Sequence, residues 1–468
     1  MTASKSFSAA AVFAAAALGA AASASAAMFK DGDRVAFLGD SITERGDFNY
    51  VRVISDYYLT RFPEADIRFL NAGSNGGGAR QGALRFADDV ASRRATAVSI
   101  MFGMNDVGRP NYKTNATPEM LKARDGHLAS YRRNYAELME SCAKASPDAA
   151  LYLLTPSPHD DQTVFYRNKA CVQIPGCNAG LGRCAEIVRE EAAMRGATLV
   201  DLYTILNAYV RERRGVEPDF KFADDRVHPG AGANMLMGMA FLAAQNADRV
   251  VSDIAIREGR CLKSIKAEVS DIATNENGGV SFTVLEKSLP MPFADDASDC
   301  TNAPVVAAFN NQILAFYMLD GGNWTLTIDG DEVCTASSAE WERGVNLAFN
   351  EKTPQHRQAM KVLEANRARA ARANEIEAAR RRIRHEMLLK MPQQKLDPSK
   401  AEDREVYLAK ALESMWWEPS KVQMKAAVRE WNDLDRLLDE CDAAWPKVRA
   451  LAKPVPHKYV LSRCETVK

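Results

Sequence analysis

The chain has 468 residues, of which 47% are hydrophobic and 26% are charged, and its formal net charge at pH 7 is −1. This length is too great for one ordinary hydrophobic core, so it predicts two or three domains. The balanced charge excludes the strong bias that draws a protein to nucleic acid or to an anionic membrane, and we expect no nucleic-acid partner.

The first 27 residues are predicted to form a secretory signal peptide. Lys5 supplies a positive charge, an Ala-rich apolar stretch follows, and Ala24-Ser25-Ala26 matches the A-x-A cleavage pattern. We see no later apolar run long enough to span a bilayer, and no Cys follows the cleavage site for lipid attachment. We therefore expect the mature protein to be secreted or periplasmic.

Residues 28–255 alternate short apolar runs with longer helical patterns. The runs are nearly continuous in apolar character and end in turn residues, which is typical of strands buried on both faces. They lie at residues 34–38, 67–70, 97–102, 150–154 and 197–200. Alternating strands and helices predict a parallel sheet with helices on both faces.

The composition changes after residue 255. Residues 256–336 contain short alternating strands and the tight-turn pair Asp329-Gly330, which predict a small antiparallel β domain. Residues 337–468 are highly charged and are predicted to form a helical C-terminal region. Trp416 and Trp417 in this region could stack on sugar rings, but a buried helix contact is the more ordinary interpretation.

A run of arginines lies in the predicted helical region. A nucleic-acid or acidic-polymer contact is one interpretation, but the neighbouring Glu375, Glu377 and Glu386 favour a solvated helix face with local ion pairs. The run consists of Arg367, Arg369, Arg372, Arg380, Arg381, Arg382 and Arg384.

The nine cysteines leave the disulfide pattern open. Cys171, Cys177 and Cys184 cluster in a predicted loop, where two of them could pair after export, and the odd total leaves at least one thiol free or paired between chains. The sequence has no C-x-x-C pair, so we expect no structural zinc site, and we expect no other metal or cofactor. The oligomeric state also stays open.

Polar loops follow three of the predicted strands, at the edge where open α/β sheets bind ligands. They contain Gly39-Asp40-Ser41, residues 71–77, and Gly103-Met104-Asn105-Asp106. A fourth segment, residues 225–230, precedes an apolar helix and contains Asp225 and His228. We therefore expect the polar groups of these segments to meet in one crevice.

These segments contain the groups that ester hydrolysis needs. The reaction requires a hydroxyl, a base that takes its proton, a group that orients the base, and donors for the oxyanion. Ser41, His228 and Asp225 could supply the first three groups. The backbone N–H groups of Ser41 and Gly76 and the side-chain amide of Asn105 could supply the donors.

The four segments resemble, in order and spacing, the signature blocks of the SGNH/GDSL hydrolase superfamily. The resemblance covers about Lys30 to Asp248 and implies a flavodoxin-like three-layer α/β/α fold with a parallel sheet. It also implies a serine esterase, similar to exported bacterial members that carry a C-terminal extension.

The resemblance also implies which residues act. By motif position, Ser41, Asp225 and His228 would form the catalytic triad, and Ser41, Gly76 and Asn105 would form the oxyanion hole. Gly76 is chosen because the oxyanion Gly of the family falls five residues after the Asn of its block. The sequence departs from many members at residue 77, where Gly replaces their Asp.

Each segment alone also has an ordinary structural explanation. Gly-Asp-Ser suits a helix N-terminus, and Gly-x-Asn-Asp suits a turn; only the four together, each at a strand end, favour catalysis. Asp40 and His159 are candidate pocket residues, and Asp40 is also expected to cap the helix after Ser41. Asp106 is expected to support its own loop rather than to touch substrate.

Three functions fit the sequence. The first is a carbohydrate O-acetylesterase, favoured by the predicted export and by the lack of a strongly apolar lid segment near the motifs. The second is a lipid-directed acylhydrolase (lysophospholipase, lipase or thioesterase), for which the catalytic residues would be identical. The third is a non-catalytic carbohydrate-binding or adhesion protein with a vestigial hydrolase domain, against which the intact set of candidate residues argues.

Overall fold

The computed structural model describes residues 27–45, 49–167, 170–172, 174–291 and 308–464. The predicted signal peptide, apart from residue 27, lies outside these residues. Within them, no helix is both long enough and apolar enough to cross a membrane.

A five-stranded parallel sheet forms the first part of the chain, as predicted. Its spatial order is β2-β1-β3-β4-β7, which is the flavodoxin-like order of doubly wound sheets. Gly39 at the end of β1 pairs with Gly73 of β2 and with Met101 of β3, so the loops after these strands leave the same edge side by side. The strands are β1 (Arg34–Gly39), β2 (Arg68–Gly73), β3 (Ala97–Met101), β4 (Ala150–Leu154) and β7 (Thr198–Val200).

Within the described residues, seven α-helices accompany this sheet. They are α1 (Ser41–Glu44), α2 (Tyr50–Arg61), α3 (Ala79–Asp89), α4 (Pro118–Ala145), α5 (Cys177–Arg195), α6 (Leu202–Val216) and α7 (Ala231–Ala244). Helix α2 packs against α7, whereas α4 packs against α3 and α5. Phe37 of β1 contacts Tyr50 of α2 and Phe241 of α7, so large aromatic side chains fill the core between sheet and helices.

Smaller elements complete this part of the chain. Ala91–Arg93 and Arg109–Tyr112 are short 3₁₀-helices, and β5 (Phe165–Arg167) pairs with β6 (Ala170–Val172) as a separate two-stranded ribbon. They lie in the connections between the larger elements and leave the parallel sheet uninterrupted.

Two further sheets enclose a second hydrophobic core. One has the order β10-β11-β16-β13-β14 and the other has the order β15-β12-β8-β9. All neighbours are antiparallel except β8 and β12, which pair in parallel. The strands are β8 (Val250–Arg257), β9 (Arg260–Ile265), β10 (Ala267–Thr274), β11 (Val280–Glu286), β12 (Asn311–Tyr317), β13 (Asn323–Ile328), β14 (Asp331–Ser337), β15 (Val345–Asn346) and β16 (His457–Arg463).

The chain returns to these sheets at its end. Strand β16 lies between β11 and β13 in the middle of its sheet, although the sequence predicted only helices beyond residue 337. The predicted boundary between residues 255 and 256 falls inside β8. The division of the chain into separate domains therefore stays a prediction.

The helical C-terminal region packs on the parallel-sheet part of the molecule. Ala359, Val362 and Trp445 belong to the same core cluster as the strands of the parallel sheet, and α9 contacts α2. The helices are α8 (Ser338–Arg343), α9 (Pro354–Arg382), α10 (Leu388–Gln393), α11 (Ala401–Ser414), α12 (Glu418–Glu430) and α13 (Leu434–Ala452), and a π-helical turn, Ile383–Met387, joins α9 to α10.

The predicted solvated face of the arginine run is partly wrong. Arg380 is buried, and its guanidinium pairs with Asp89 of α3 and with Glu377. Arg381, also buried, lies 3.5 Å from the Glu44 carboxylate. Local ion pairs are present as expected, but charge spacing alone does not distinguish a solvated helix from one whose charges meet buried partners on another element.

Cys177 and Cys184 do not form a disulfide with each other, which was one of the pairings that the sequence left open. Both are free and buried, and both lie in α5 rather than in a loop. The side chain of Cys171 lies outside the part of the chain that the structure describes. Burial raises the pKa of both thiols, Cys177 to about 12, which makes them poor nucleophiles near neutral pH.

Replacing Arg380 with Ala should destabilise the protein by about 3 kcal/mol, because it removes a buried partner of the Asp89 carboxylate. Urea unfolding at pH 7 measures this loss. Arg384→Ala is the matched control, since Arg384 pairs with Asp88 at an exposed site and should cost less than about 1 kcal/mol. Equal losses for the two variants would contradict a buried ionic contact between α9 and α3.

Candidate active site

The candidate nucleophile lies on the turn directly after β1. Asp40 is the N-cap of α1, and its carboxylate accepts a hydrogen bond from the backbone N–H of Ile42 at 2.9 Å. Ser41 is the first residue of this helix and is 6% exposed. A capped helix start fixes the backbone at Ser41 and so fixes the direction of its hydroxyl.

Ser41, His228 and Asp225 form one hydrogen-bonded chain. Ser41 Oγ lies 2.8 Å from His228 Nε2, and His228 Nδ1 lies 2.6 Å from Asp225 Oδ2. The other carboxylate oxygen of Asp225 accepts hydrogen bonds from the backbone N–H groups of Val227 and His228. The residues that were predicted as a triad therefore lie in direct contact.

Asp225 is held in its ionised form. Burial alone would raise its pKa, but the hydrogen bonds from the imidazole and the backbone N–H of His228 outweigh burial and lower the pKa well below the usual range. A carboxylate at 2.6 Å from Nδ1 requires a proton on that nitrogen, so Nε2 is left as the acceptor that faces Ser41.

The loop after β2 is locked against the nucleophile helix. Asn71 donates a hydrogen bond to the carbonyl of Thr43 and accepts one from the N–H of Gly73. A Cβ on Gly73 would lie 2.3 Å from the backbone nitrogen of Glu44, so only glycine permits this approach. The ends of β2 and α1 are therefore fixed to each other.

The predicted oxyanion residues lie on neighbouring loops. Gly76 is exposed and has a φ of +70°, a conformation that side chains other than glycine rarely adopt. The Asn105 side-chain amide donates to the carbonyl of Gly77 at 2.8 Å, and its oxygen accepts a hydrogen bond from Arg109. One amide proton of Asn105 thus ties the loop after β3 to the loop after β2.

Asp106 lies in the loop after β3 and supports the segment that joins β2 to α3. Its carboxylate accepts a hydrogen bond from the N–H of Ala79 at the start of α3, and a Cβ on Gly78 would lie 2.5 Å from the same oxygen. Burial raises the pKa of Asp106 to about 6.

His159, the other candidate pocket residue, pairs with a different acid. Its Nδ1 lies 2.6 Å from Asp161 Oδ1, and its side chain is fully buried. It lines a cavity of about 690 Å³ whose described lining includes neither Ser41 nor His228. The structure therefore places His159 in a cavity apart from the Ser41–His228 contact.

Arg45 makes three contacts at the site that the sequence did not predict. Arg45 Nε donates to Asn75 Oδ1 at 2.7 Å, and Arg45 NH1 lies 3.3 Å from His228 Nδ1. The Arg45 guanidinium lies 4.2 Å from the centre of the Trp417 ring. Trp417 belongs to the helical C-terminal region, so only the tertiary fold brings it to the site.

Comparison with known proteins agrees with this architecture. The GDSL-like lipase/acylhydrolase family model matches residues 37–234. An acetylxylan esterase of Geobacillus stearothermophilus is 27% identical over 225 residues, which are 45% of this chain and 93% of that protein. A solved structure of a gut microbial diltiazem-metabolizing enzyme is 27% identical, with a TM-score of 0.82 over 94% of this chain and 99% of that one.

The fold and the matched segment define an ester hydrolase built on a parallel α/β sheet. Residues 37–234 match the GDSL-like lipase/acylhydrolase family model, as the sequence motifs predicted. Because 94% of the chain aligns with one solved structure, the antiparallel sheets and the helical region are part of an architecture that both proteins share.

Replacing Asp40 with Asn should change how stability depends on pH. Burial raises the pKa of Asp40 to about 7 in the folded state, whereas the unfolded chain has a value near 3.8. Between these values the unfolded state releases a proton that the folded state retains, so stability falls as pH rises. Asn keeps the acceptor for Ile42 and does not titrate.

As pH rises from about 5 to about 8, the free energy of unfolding of the variant should therefore increase by about 2 to 3 kcal/mol relative to that of the wild type. Urea unfolding of both proteins across this range measures the difference. The contribution of Asp106 has the same sign in both proteins. Parallel stability curves would show that Asp40 does not titrate in this window.

Proposed function

We propose that the protein hydrolyses carboxylic esters with Ser41 as nucleophile, His228 as general base and Asp225 as the group that orients the base. The hydrogen-bonded chain from Ser41 Oγ through His228 to Asp225 supports this assignment. His228 Nε2 takes the proton of Ser41 while Oγ attacks the acyl carbon, and the protonated imidazole then donates that proton to the leaving alcohol. In the second half of the reaction His228 Nε2 takes a proton from a water molecule while the water oxygen attacks the acyl carbon. The imidazole then returns that proton to Ser41 Oγ as the carboxylic acid leaves.

We further propose that the backbone N–H groups of Ser41 and Gly76 and the amide of Asn105 stabilise the oxyanion. The capped start of α1 directs the Ser41 N–H, and the left-handed backbone at Gly76 lets the loop approach the substrate without a side chain. Asn105 has two amide protons, of which one binds the carbonyl of Gly77. The second proton remains to serve the oxyanion.

A carbohydrate O-acetyl ester is the substrate class that we propose. The loops that carry the candidate residues contain two hydrogen-bonded polar pairs, Arg45 with Asn75 and Arg109 with Asn105, and Arg45 also lies beside His228. These groups suit a hydroxyl-rich alcohol better than a long acyl chain, which needs an apolar channel. The acetylxylan esterase similarity favours the same class.

A lipid-directed acylhydrolase is the second candidate, since the same residues would cleave a longer acyl ester. The third hypothesis, a non-catalytic adhesion protein, is disfavoured by the match of residues 37–234 to the GDSL-like lipase/acylhydrolase family model. Carbohydrate binding by the remaining sheets is compatible with either activity. The acyl chain length therefore decides between the two enzymes.

One hydrolysis screen tests the nucleophile and the substrate class together. We expect nitrophenyl acetate and acetylated xylo-oligosaccharides to be cleaved faster than nitrophenyl octanoate. Ser41→Ala should lower kcat by at least about 10⁴-fold, because the covalent step is lost. Ser92→Ala, at an exposed position after α3, is the matched control and should retain full activity.

The possible outcomes separate the claims. Faster turnover of octanoate than of acetate would replace the acetylesterase proposal by the lipid-directed one. Undiminished hydrolysis by Ser41→Ala would overturn the nucleophile assignment for every substrate.

We also propose that the protein is exported through its first 27 residues. The positive charge at Lys5, the apolar stretch and the Ala24-Ser25-Ala26 pattern support this proposal. Expression in a bacterial host should yield an extracytoplasmic protein whose intact mass fits a chain that begins near residue 28. A full-length mass in the cytoplasmic fraction would contradict export.

A further inference from the structure

The helical C-terminal region reaches the segment that carries Ser41. Glu44, the last residue of α1, accepts a hydrogen bond from the Gln423 amide at 2.7 Å and lies 3.5 Å from the Arg381 guanidinium. Gln423 belongs to α12, and Arg381 belongs to α9. The short nucleophile helix is thus held between β2, through Gly73, and two helices of the C-terminal region.

Trp417 contacts Arg45, whose guanidinium lies beside the His228 ring. It is the N-cap of α12, so the start of that helix fixes its backbone. The face of its ring lies 4.2 Å from the Arg45 guanidinium, within the range of a cation–π interaction. Arg45 is partly buried, and burial lowers its pKa while the nearby Asp225 carboxylate opposes that change.

Arg45 in turn connects the two halves of the proposed catalytic machinery. Its Nε binds Asn75, the residue before Gly76, and its NH1 lies beside the His228 ring on the side that faces Asp225. A long arginine side chain has many rotamers, so an Arg45 without this contact would sample many positions. The contact with the Trp417 ring restricts the Arg45 guanidinium to positions over the face of that ring.

We propose that Trp417 is a positioning residue for ester hydrolysis: it holds Arg45 in the place from which Arg45 fixes the oxyanion loop through Asn75 and keeps its positive charge beside the Asp225 carboxylate. The helical C-terminal region is then a part of the active site and not an appendage. This inference rests on the proposed function, because it requires the Ser41–His228 chain to be the site of catalysis.

Trp416 provides the contrast within the same segment. It precedes Trp417 in the sequence, but its side chain is 77% exposed, and it precedes the N-cap residue of α12. The two tryptophans therefore differ in environment although they are adjacent residues of the same type. We expect Trp416→Ala to leave kcat and KM unchanged.

The experiment compares Trp417→Phe with Trp417→Leu in the full-length protein, using nitrophenyl acetate as the probe. Both replacements keep an apolar side chain, but only Phe keeps an aromatic face for the guanidinium. We expect Leu to lower kcat about tenfold with KM changed less than about twofold, and Phe to stay within about threefold of the wild type. A purely structural role for Trp417 predicts equal kcat for Phe and Leu.

A double-mutant cycle tests whether Trp417 acts through Arg45. Once Arg45→Ala has removed the guanidinium, adding Trp417→Leu should lower kcat no further, because contacting residues in one interaction are not additive. Thermal unfolding of each variant separates loss of function from loss of fold. Additive losses, or equal activity of the Phe and Leu variants, would overturn the positioning role.

Ser41→Ala, measured in parallel, distinguishes this inference from the proposed function. If Ser41→Ala is inactive and the Trp417 variants match the wild type, only the positioning role is wrong. If Ser41→Ala hydrolyses the ester like the wild type, both proposals are wrong.

Discussion

The contact between Ser41 Oγ and His228 Nε2 joins residues that are 187 positions apart in the sequence, and the surrounding structure serves to maintain it. The hydroxyl is fixed because β1 ends at Gly39 and α1 starts under the Asp40 cap. The imidazole is fixed because Asp225 accepts two hydrogen bonds from His228, one from Nδ1 of the ring and one from the backbone N–H. A gap of even 1 Å between the two groups would weaken proton transfer, so both anchors are needed.

The parallel sheet brings the remaining polar loops to the same edge. Register pairs the ends of β1, β2 and β3, and the loops that follow them are tied together by Asn71, Asn105 and Asp106. Each of these side chains bonds to a backbone group of a neighbouring segment, which fixes loop positions without occupying the Ser41 hydroxyl. Rigid loops limit reorganisation when charge develops on a bound ester.

The sequence predicted those parts of the fold and the site that depend on local patterns. Strands buried on both faces leave continuous apolar runs, so the parallel sheet was predictable, and the four motif segments pointed to residues that the structure places in contact or on adjacent loops. Strand β16 was not predictable, because its neighbours β11 and β13 lie far away in the sequence and a terminal strand after helices has no periodic signal. The burial of Arg380 was missed because its partner Asp89 lies on a distant helix.

The contact of Arg45 with Trp417 was unpredictable for the same reason, and it changes how the C-terminal region is understood. A region that only extended the chain would need no contact with Glu44 or Arg45, whereas α9 and α12 supply partners for both. The ion pairs of α9 with Asp89 and Glu44 fix α9 against the parallel-sheet part of the molecule, where Trp417 at the start of α12 contacts Arg45. The buried charges of residues 337–468 thus help to orient the C-terminal region. In that orientation Trp417 contacts the Arg45 guanidinium, which in turn lies beside the His228 imidazole.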